Sequence, residues 1–321
     1  MKRILTGIQP SGKLHWGNYF GAIRNMVNLQ NEGNEMFMFI ANFHAMTTVR
    51  DGAALRQSTN DVILDYLACG MDPMKTVLYK QSDVPEVQEL AWYLSCLCPM
   101  GLLERCHSYK DKMAHGFEAT HGLFAYPALM AADILIMNAD LVPVGKDQKQ
   151  HLEVTRDLAQ KFNNAYGEIF KLPDAYIPDT VATIPGTDGQ KMSKSYHNTI
   201  ELFEPNNSIK KKVMGIVTDS KTMEEPKEPE GNSIYELYKL FATPEQVAEM
   251  AANFRAGNYG YGHAKKALLE AYHVMFDPFR EKREQLAGDP DYVNDVLKEG
   301  ARRAREAMTP IMEKVRKAVG I

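Results

Sequence analysis

The chain has 321 residues, more than one domain usually holds, so two domains are expected. Hydrophobic residues make up 45% and charged residues 24%, which is typical of a folded globular protein and argues against global disorder. The formal net charge of −4 argues against a uniformly basic nucleic-acid binder, so such a function would depend on local clusters of Lys and Arg.

Strands and helices alternate through the first half of the chain. Short apolar runs predict buried strands at 3–8, 36–45 and 76–84. Helical periodicity predicts helices over 18–30, over 53–70 and from Pro85 onward, and 139–162 reads as a further strand, turn and helix. This alternation is typical of an α/β fold with a parallel sheet and helices on both faces.

The second half of the chain has a different character. Residues 220–233 are charged and Pro-rich, which predicts a surface loop. The stretch 243–254 begins with Thr243, Pro244 and Gln246, a capping-box pattern that predicts a helix start. Residues 289–320 predict a long helix with a kink near its internal proline. We therefore expect an all-helical second domain.

Neither a membrane segment nor a disulfide framework is predicted. The N-terminal apolar run is too short for a signal peptide and no apolar run could span a bilayer, so a cytoplasmic protein is expected. No C-x-x-C pair occurs, which favours reduced thiols. The spacing of Cys96, Cys98, Cys106 and His107 leaves a metal site open as the less favoured alternative.

The stretch "GIQPSGKLHWGNYFG" follows the first predicted strand. In open α/β sheets, ligands bind outside the carboxyl ends of the strands, where helix N-termini suit phosphate. Gly17 would let a flat ring approach the backbone, and His15 and Asn18 would donate to phosphate oxygens. The alternative is a tight turn with one surface histidine.

A second polar turn, "VPVGKDQKQHLEV", follows a later strand. Gly145 allows close approach of a ligand, Asp147 is suited to accept from ribose hydroxyls, and Gln148 is placed to contact a substrate. The alternative is a polar run that caps the next helix.

The third stretch, "IPGTDGQKMSKSYHN", carries two lysines beside two serines. Gly186 and Gly189 precede Lys191 and Lys194, which predicts a mobile loop that folds over a polyphosphate and neutralises a leaving pyrophosphate. It does not match the phosphate-binding P-loop pattern. Taken alone, a solvated surface loop is the favoured interpretation.

Together these motifs are far more specific than each alone. "QPSG" with "HWGN" after the first strand, followed later by "KMSKS", resembles the class I aminoacyl-tRNA synthetases. "TGIQPSGKLHWGNYFGAI", "YPALMAADIL" and "VPVGKDQKQHLEVTRDLAQKFN" are similar to the bacterial tryptophanyl-tRNA synthetases, over most of the first 200 residues and more weakly beyond. The resemblance implies a Rossmann-like catalytic domain over 1–197 that ends in the KMSKS loop. It also implies a helical anticodon-binding domain over 198–321, whose last helix is a candidate to pack back on the first domain.

The resemblance also implies site residues. Those expected to contact ATP are Gln9, Pro10, Ser11, His15, Gly17, Asn18, Gly145, Lys146, Asp147, Ile184, Lys191, Met192, Ser193, Lys194 and Ser195. Those expected to act in catalysis are Gln9, Lys112, Lys191 and Lys194. Those expected to contact tryptophan are His44, Tyr126, Met130, Asp133 and Gln148, with the Asp133 carboxylate facing the indole N–H. Asn42 and Phe43 depart from the family pattern, which puts the contacts at the pocket rim in doubt.

The implied reaction is that of a tryptophan–tRNA ligase. ATP, with Mg²⁺, would activate L-tryptophan to tryptophanyl-AMP, and the aminoacyl group would pass to tRNA(Trp). The resemblance also implies a homodimer. Basic candidates for tRNA contact are Lys210, Lys211, Lys212, Arg302, Arg303, Arg305, Lys314, Arg316 and Lys317, with salt-bridged solvated helices as the alternative. Rival readings are a tyrosyl enzyme, a small-molecule nucleotidyltransferase and a catalytically silent binding protein.

Overall fold

The computed structural model describes residues 1–10, 12–106, 110, 113–114, 116, 118–145, 149–177 and 183–321. Its sheet has five strands, and every paired neighbour is parallel. The strands are β1 (Arg3–Ile8), β2 (Glu35–Ile40), β3 (Thr76–Lys80), β4 (Leu141–Pro143) and β5 (Asp174–Tyr176).

The strand order is β3-β2-β1-β4-β5. The chain first winds outward from β1 to β3 and then returns to the other side of β1, so the order reverses between β1 and β4. Ligands of open α/β sheets bind at such a switch point, outside the carboxyl ends of the strands. The expected Rossmann-like α/β architecture is confirmed.

Helices account for most of the described chain. They are α1 (Trp16–Asn18), α2 (Arg24–Asn31), α3 (Asn42–Ala45), α4 (Gly52–Ala68), α5 (Glu86–Leu97), α6 (Met100–Glu104), α7 (His121–Ile136), α8 (Lys149–Tyr166), α9 (Asn206–Met214), α10 (Ser233–Phe241), α11 (Pro244–Ala256), α12 (Tyr261–Ala287) and α13 (Pro290–Val319). The predicted capping box forms at α11, where Gln246 N donates to Thr243 Oγ1 at 3.4 Å.

Both faces of the sheet are covered, because side chains along a buried parallel strand alternate between the two sides. In β2, Met38 and Ile40 join a core built with α4, α10 and α12, whereas Phe37 and Phe39 join a core built with α5, α7 and α8. The helices after residue 200 therefore share the first of these cores with the sheet.

The last helix runs along the edge strand β3. A Cβ atom on Gly300 of α13 would lie 1.8 Å from the carbonyl oxygen of Leu78, so only glycine allows this approach. On either side of that point, α13 places Leu297 in one core and Met308 in the other. The helix thereby covers the open edge of the sheet.

Two strand predictions extended too far, and one helix prediction missed a local change. β2 ends at Ile40 and β3 at Lys80, and each is followed by a short helical turn at the carboxyl end of the sheet. The helix predicted over 18–30 contains a π-helical turn at Tyr19–Ile23 between α1 and α2. Such turns recur at functional sites. β5 was not predicted, since its three residues are too few to show a periodic pattern.

Candidate functional site

The turn after β1 is held in place by aromatic packing from the helical part of the chain. Trp16, the first residue of α1, is fully buried. Its ring lies 4.8 Å from that of Phe241, edge to face, and is stacked at 5.4 Å on that of Tyr272. Because α1 begins with this anchored side chain, the positions of His15 and Gly17 on either side of it are set by the same contacts.

The first and third sequence motifs lie against each other. Trp16 N donates to Ile200 O at 3.0 Å and Leu202 N donates to Leu14 O at 2.9 Å, so the segments 14–16 and 200–202 pair antiparallel. Gly17 N also points at the Met192 sulfur, at 3.3 Å. A Cβ on Gly17 would lie 2.9 Å from the His15 ring, so a larger residue here would force that ring to shift.

The lysine-serine loop is a tight hairpin. Met192 N donates to Ile184 O at 2.8 Å and Gly186 N donates to Gln190 O at 2.6 Å. Gly189 adopts φ of +83° at the turn, a conformation that favours glycine. Two residues of the hairpin, Ile184 and Met192, are buried. Its charged and hydroxyl side chains are more accessible: Lys191, Lys194 and Ser195 are exposed and Ser193 is half-buried.

Positive charge collects where this hairpin meets the first turn. The Lys194 ammonium would lie 3.7 Å from a Cβ on Gly12, and Lys13 forms an ion pair with Glu201 at 3.3 Å. Although Lys194 is exposed as a whole, partial burial of its ammonium beside the first turn lowers its pKa, and Glu201 opposes that shift. Burial, with the charge of Lys194 as the smaller cause, lowers the pKa of His15 to about 4. The His15 imidazole is therefore neutral near pH 7.

The remaining residues predicted for nucleotide contact lie near this turn or after β4. Gln9 is exposed and Pro10 buried directly after β1, and Asn18 Oδ1 accepts from His15 N at 3.0 Å. Gly145 follows β4 and borders a small cavity of about 90 Å³. That cavity lies between the start of α2 and the ends of β4 and β5, at the switch point of the sheet.

A second set of polar side chains converges at the carboxyl ends of β2 and β3. Asp133 on α7 is 3% exposed, and its carboxylate lies 2.9 Å from His44 Nε2. The fully buried Gln81 donates its amide to both carboxylate oxygens at 2.9 Å, and its Oε1 accepts from Phe43 N at 3.1 Å. Burial raises the pKa of Asp133, while the hydrogen bonds from His44 and Gln81 oppose that rise.

Tyr126 and Met130 lie on α7, the same helix as Asp133. The Tyr126 hydroxyl is 2.7 Å from His151 Nε2, and the Tyr126 ring meets the His44 ring edge to face at 6.0 Å. Met130 is half-buried on the same helix. Beside them opens a cavity of about 650 Å³ whose lining includes His44, Tyr126 and Phe43. The lining is mostly apolar, with a few polar side chains, which is typical of pockets for small ligands.

The residues that depart from the family pattern also have clear roles here. Asn42 Nδ2 donates to Ser82 Oγ at 2.8 Å, and Ser82 N donates to Asn42 Oδ1 at 3.1 Å. This pair joins the turn after β2 to the turn after β3. The side chain of Phe43 forms part of the cavity wall.

Some predicted residues lie outside the described part of the chain, and some site residues were missed. Ser11, Lys112, Lys146, Asp147 and Gln148 are outside the described residues. Sequence reasoning did not single out Gln81, His151 or Asn198. For Gln81 a signal existed, since a polar residue directly after a buried strand lies at the ligand-binding edge of a parallel sheet.

Within the described residues, no group of three or more His, Cys, Asp or Glu side chains is arranged to hold a metal ion. Cys96, Cys98 and Cys106 are free thiols, and His107 lies outside the described residues. The described helices also include none that is both long and apolar enough to cross a membrane.

Several basic residues proposed for tRNA contact are engaged within the chain. Arg302 pairs with Glu299 at 2.6 Å and also with Glu306, and Arg316 pairs with Glu89 at 2.6 Å. Further contacts join Arg305 to Glu86, Arg303 to the Pro73 carbonyl and Lys212 to Glu204. These contacts favour the salt-bridged alternative for the arginines of α13.

Comparison with known proteins adds independent information. The model of the family "tRNA synthetases class I (W and Y)" matches residues 1–277. A tryptophan–tRNA ligase of Rhodopirellula baltica is 54% identical over 319 residues, 99% of each chain, and one of Fusobacterium nucleatum subsp. nucleatum is 53% identical over 100% of this chain and 98% of its own. The crystal structure of tryptophanyl-tRNA synthetase from Campylobacter jejuni, complexed with ADP and tryptophan, matches with a TM-score of 0.95 at 50% identity, covering 99% of this chain and 100% of that one.

Proposed function

The chain belongs to the class I tRNA synthetases for tryptophan and tyrosine, and from this premise we propose which of its parts carry the reaction. It is an ATP-dependent aminoacyl-tRNA ligase that activates tryptophan and transfers it to tRNA. The assignment of parts is supported above all by the pairing of segments 14–16 and 200–202. That pairing brings the two signature motifs together at the ligand-binding edge of the sheet.

In the first step, the tryptophan carboxylate attacks the α-phosphate of ATP in line, and pyrophosphate leaves. The protein's contribution is to position both substrates and to stabilise the developing charge, without forming a covalent bond to the substrate itself. We assign the nucleotide to the cleft between the turn after β1 and the hairpin, where Lys191 and Lys194 approach the phosphates. His15 is neutral and therefore acts as a hydrogen-bonding group rather than as a further cation.

The substrate nucleotide is proposed to enter as its Mg²⁺ complex. Magnesium usually keeps several waters and is held by substrate phosphates with one or two carboxylates, so it needs no dedicated protein cage. Together with the loop lysines, it would offset the charge that develops on pyrophosphate. Lys112, which lies outside the described residues, is expected to add to this charge.

Tryptophan is assigned to the pocket of Asp133. Its carboxylate is held by His44 and Gln81 from two different turns, so its orientation is set before the substrate arrives. A buried carboxylate that accepts from an indole N–H strongly disfavours ligands without such a donor, because it would be left without that partner. Tyr126 and Met130 would cover the faces of the ring.

In the second step, a ribose hydroxyl of the 3′-terminal adenosine of tRNA(Trp) takes the aminoacyl group from tryptophanyl-AMP, and AMP leaves. We assign tRNA binding to residues 198–321, with the exposed Lys210 and Lys211 on α9 as candidate phosphate contacts. They are favoured over the arginines of α13, whose charges are offset by nearby carboxylates. A role in translation supports a cytoplasmic location.

We propose that the protein acts as a homodimer. Trp92 and Met100, at 69% and 63% exposure, lie on the consecutive helices α5 and α6. Met46, at 51%, lines the cavity beside the tryptophan pocket together with Trp92. Such a concentration of exposed apolar side chains is typical of an interaction surface. Sedimentation equilibrium tests this, and a monomer at all concentrations would contradict it.

The assignment of substrate is tested by ATP–pyrophosphate exchange with tryptophan and tyrosine in parallel, with Mg²⁺ and no tRNA. Exchange with tryptophan alone is expected. Exchange with tyrosine would mean that Asp133 faces a phenol hydroxyl, and no exchange with either from folded protein would contradict the proposed roles of both motifs.

A further inference from the structure

Asn198 lies at the base of the lysine-serine hairpin and is 2% exposed. Its side-chain amide donates to Asp188 Oδ1 at 2.8 Å and to Lys191 O at 3.0 Å. Its Oδ1 accepts from Ser193 N at 2.8 Å, and its main-chain oxygen accepts from Thr187 N at 3.0 Å. A single buried residue thus contacts both arms of the hairpin.

These contacts surround the part of the loop that carries charge. Lys191 O and Ser193 N flank Met192, and Ser193 begins the turn Lys194–Tyr196. The first contact holds the main-chain carbonyl of Lys191, and the second holds the N–H of Ser193 at the start of the turn that carries Lys194. Asn198 is therefore placed to set the position of both lysines although it is itself buried.

The fit around Asn198 is close. A Cβ on Gly186 would lie 2.4 Å from the Asn198 side chain and 2.7 Å from its main-chain oxygen. The role of Gly186 is therefore to leave space for Asn198, and it need not act as a flexible joint. Only an amide of this length supplies a donor for Asp188 and Lys191 and an acceptor for Ser193 at once.

We propose that Asn198 is a positioning residue for the nucleotide-dependent step, which it supports by holding Lys191 and Lys194 in the geometry that the departing pyrophosphate requires. This proposal rests on the proposed function. The hydrogen bonds described above join Asn198 to the hairpin and to no residue assigned to tryptophan, so its loss should change ATP use selectively. Small displacements of positioning groups cost up to about 100-fold in rate.

The test uses Asn198→Asp in the full-length protein. The change keeps the acceptor for Ser193 N, removes the donor, and sets a second carboxylate against Asp188. We expect kcat/KM for ATP in pyrophosphate exchange to fall roughly 10- to 100-fold, with the dissociation constant for tryptophan unchanged. Asn207→Asp, the same substitution at an exposed position nearby, is the matched control and should leave the ATP parameters unchanged.

A second variant separates positioning from general damage. In Asp188→Asn/Asn198→Asp the donor and acceptor exchange places, so one hydrogen bond across the hairpin is restored and the repulsion is removed. Recovery of at least part of the ATP-specific loss supports the proposal. No recovery, or an equal loss of tryptophan binding, overturns it.

Two further outcomes are distinguishable. If the unmodified protein shows no exchange, the proposed function itself fails; if it is active and Asn198→Asp retains its ATP parameters, only the positioning role fails. Should Asn198→Asp be too unstable to assay, Gly186→Ala displaces Asn198 without changing its chemistry. The same ATP-selective loss is then expected, and unchanged ATP parameters would overturn the proposal.

Discussion

Gln81 offers the most direct test of how the tryptophan pocket is built. Gln81→Leu keeps the approximate size of the side chain and removes the amide that donates to both oxygens of Asp133 at 2.9 Å. A hydrogen bond to a charged group is worth about 1.5–3 kcal/mol. If that amount is lost from tryptophan recognition, the KM for tryptophan should rise about 10- to 150-fold, with the KM for ATP nearly unchanged.

The variant should also change the pH dependence of tryptophan use. Burial already raises the pKa of Asp133, and Gln81 opposes that rise. Without the amide the pKa rises further, so the carboxylate becomes protonated at a higher pH than in the unmodified protein. Tryptophan use should therefore be lost as the pH falls, and that loss should begin at a higher pH in Gln81→Leu.

The assay is pyrophosphate exchange with tryptophan varied at several pH values, alongside denaturant unfolding of the same preparations. Ser82→Ala is the control, because Ser82 occupies the same turn but is exposed and pairs with Asn42 instead. An unchanged tryptophan KM in a folded Gln81→Leu protein would refute the reasoning. An equal rise in both KM values would point to general damage of the site.

Three further predictions concern other parts of the molecule. Lys194→Ala should lower the rate of adenylate formation at least 10-fold while tryptophan affinity, measured by equilibrium binding, stays within a factor of two or so; equal loss of both would contradict a role in charge stabilisation. Gly300→Ala should destabilise the fold by about 3 kcal/mol in urea unfolding because its Cβ meets Leu78 O at 1.8 Å, whereas Gly262→Ala, with nothing within 4 Å, should not. The pKa of His15 falls from 6.5 to about 4 on folding, so its contribution to stability is present above pH 6.5 and is lost as the pH falls toward 4; His15→Asn should flatten that part of the stability profile, and an unchanged profile would count against the shift.

Local patterns in the sequence were sufficient for most elements of the fold. The capping box at Thr243 depends on neighbours within a few residues and forms where it was predicted. The apolar run of β2 is equally local, and the strand begins within one residue of its predicted start although it ends earlier. The two overextended strand predictions share a feature that local pattern does not show. Apolar residues recur after each strand, at Ala41 and Phe43 and then at Val84, yet both segments turn. His44 and Gln81, which lie in these turns, both contact Asp133.

The sequence predicted only those site residues that lie in recognisable motifs. The family pattern indicated His15, Lys194 and Asp133 because each lies in a recognisable stretch. Gln81 and Asn198 were missed because their importance comes from contacts that sequence spacing does not reveal, such as the 52 positions between Gln81 and Asp133. Gly186 was singled out from the sequence as part of a mobile loop. In the structure, its lack of a side chain makes room for the side chain of Asn198.

The cover that α13 provides for β3 has a consequence for biosynthesis. About 210 residues separate the end of β3 from the start of α13, so a ribosome that adds about 5–20 residues per second leaves the edge of the sheet open for roughly 10–40 s. Open edges invite pairing with other chains. A chain truncated before α13 keeps that edge exposed to such pairing, so the cover that α13 provides also protects against aggregation.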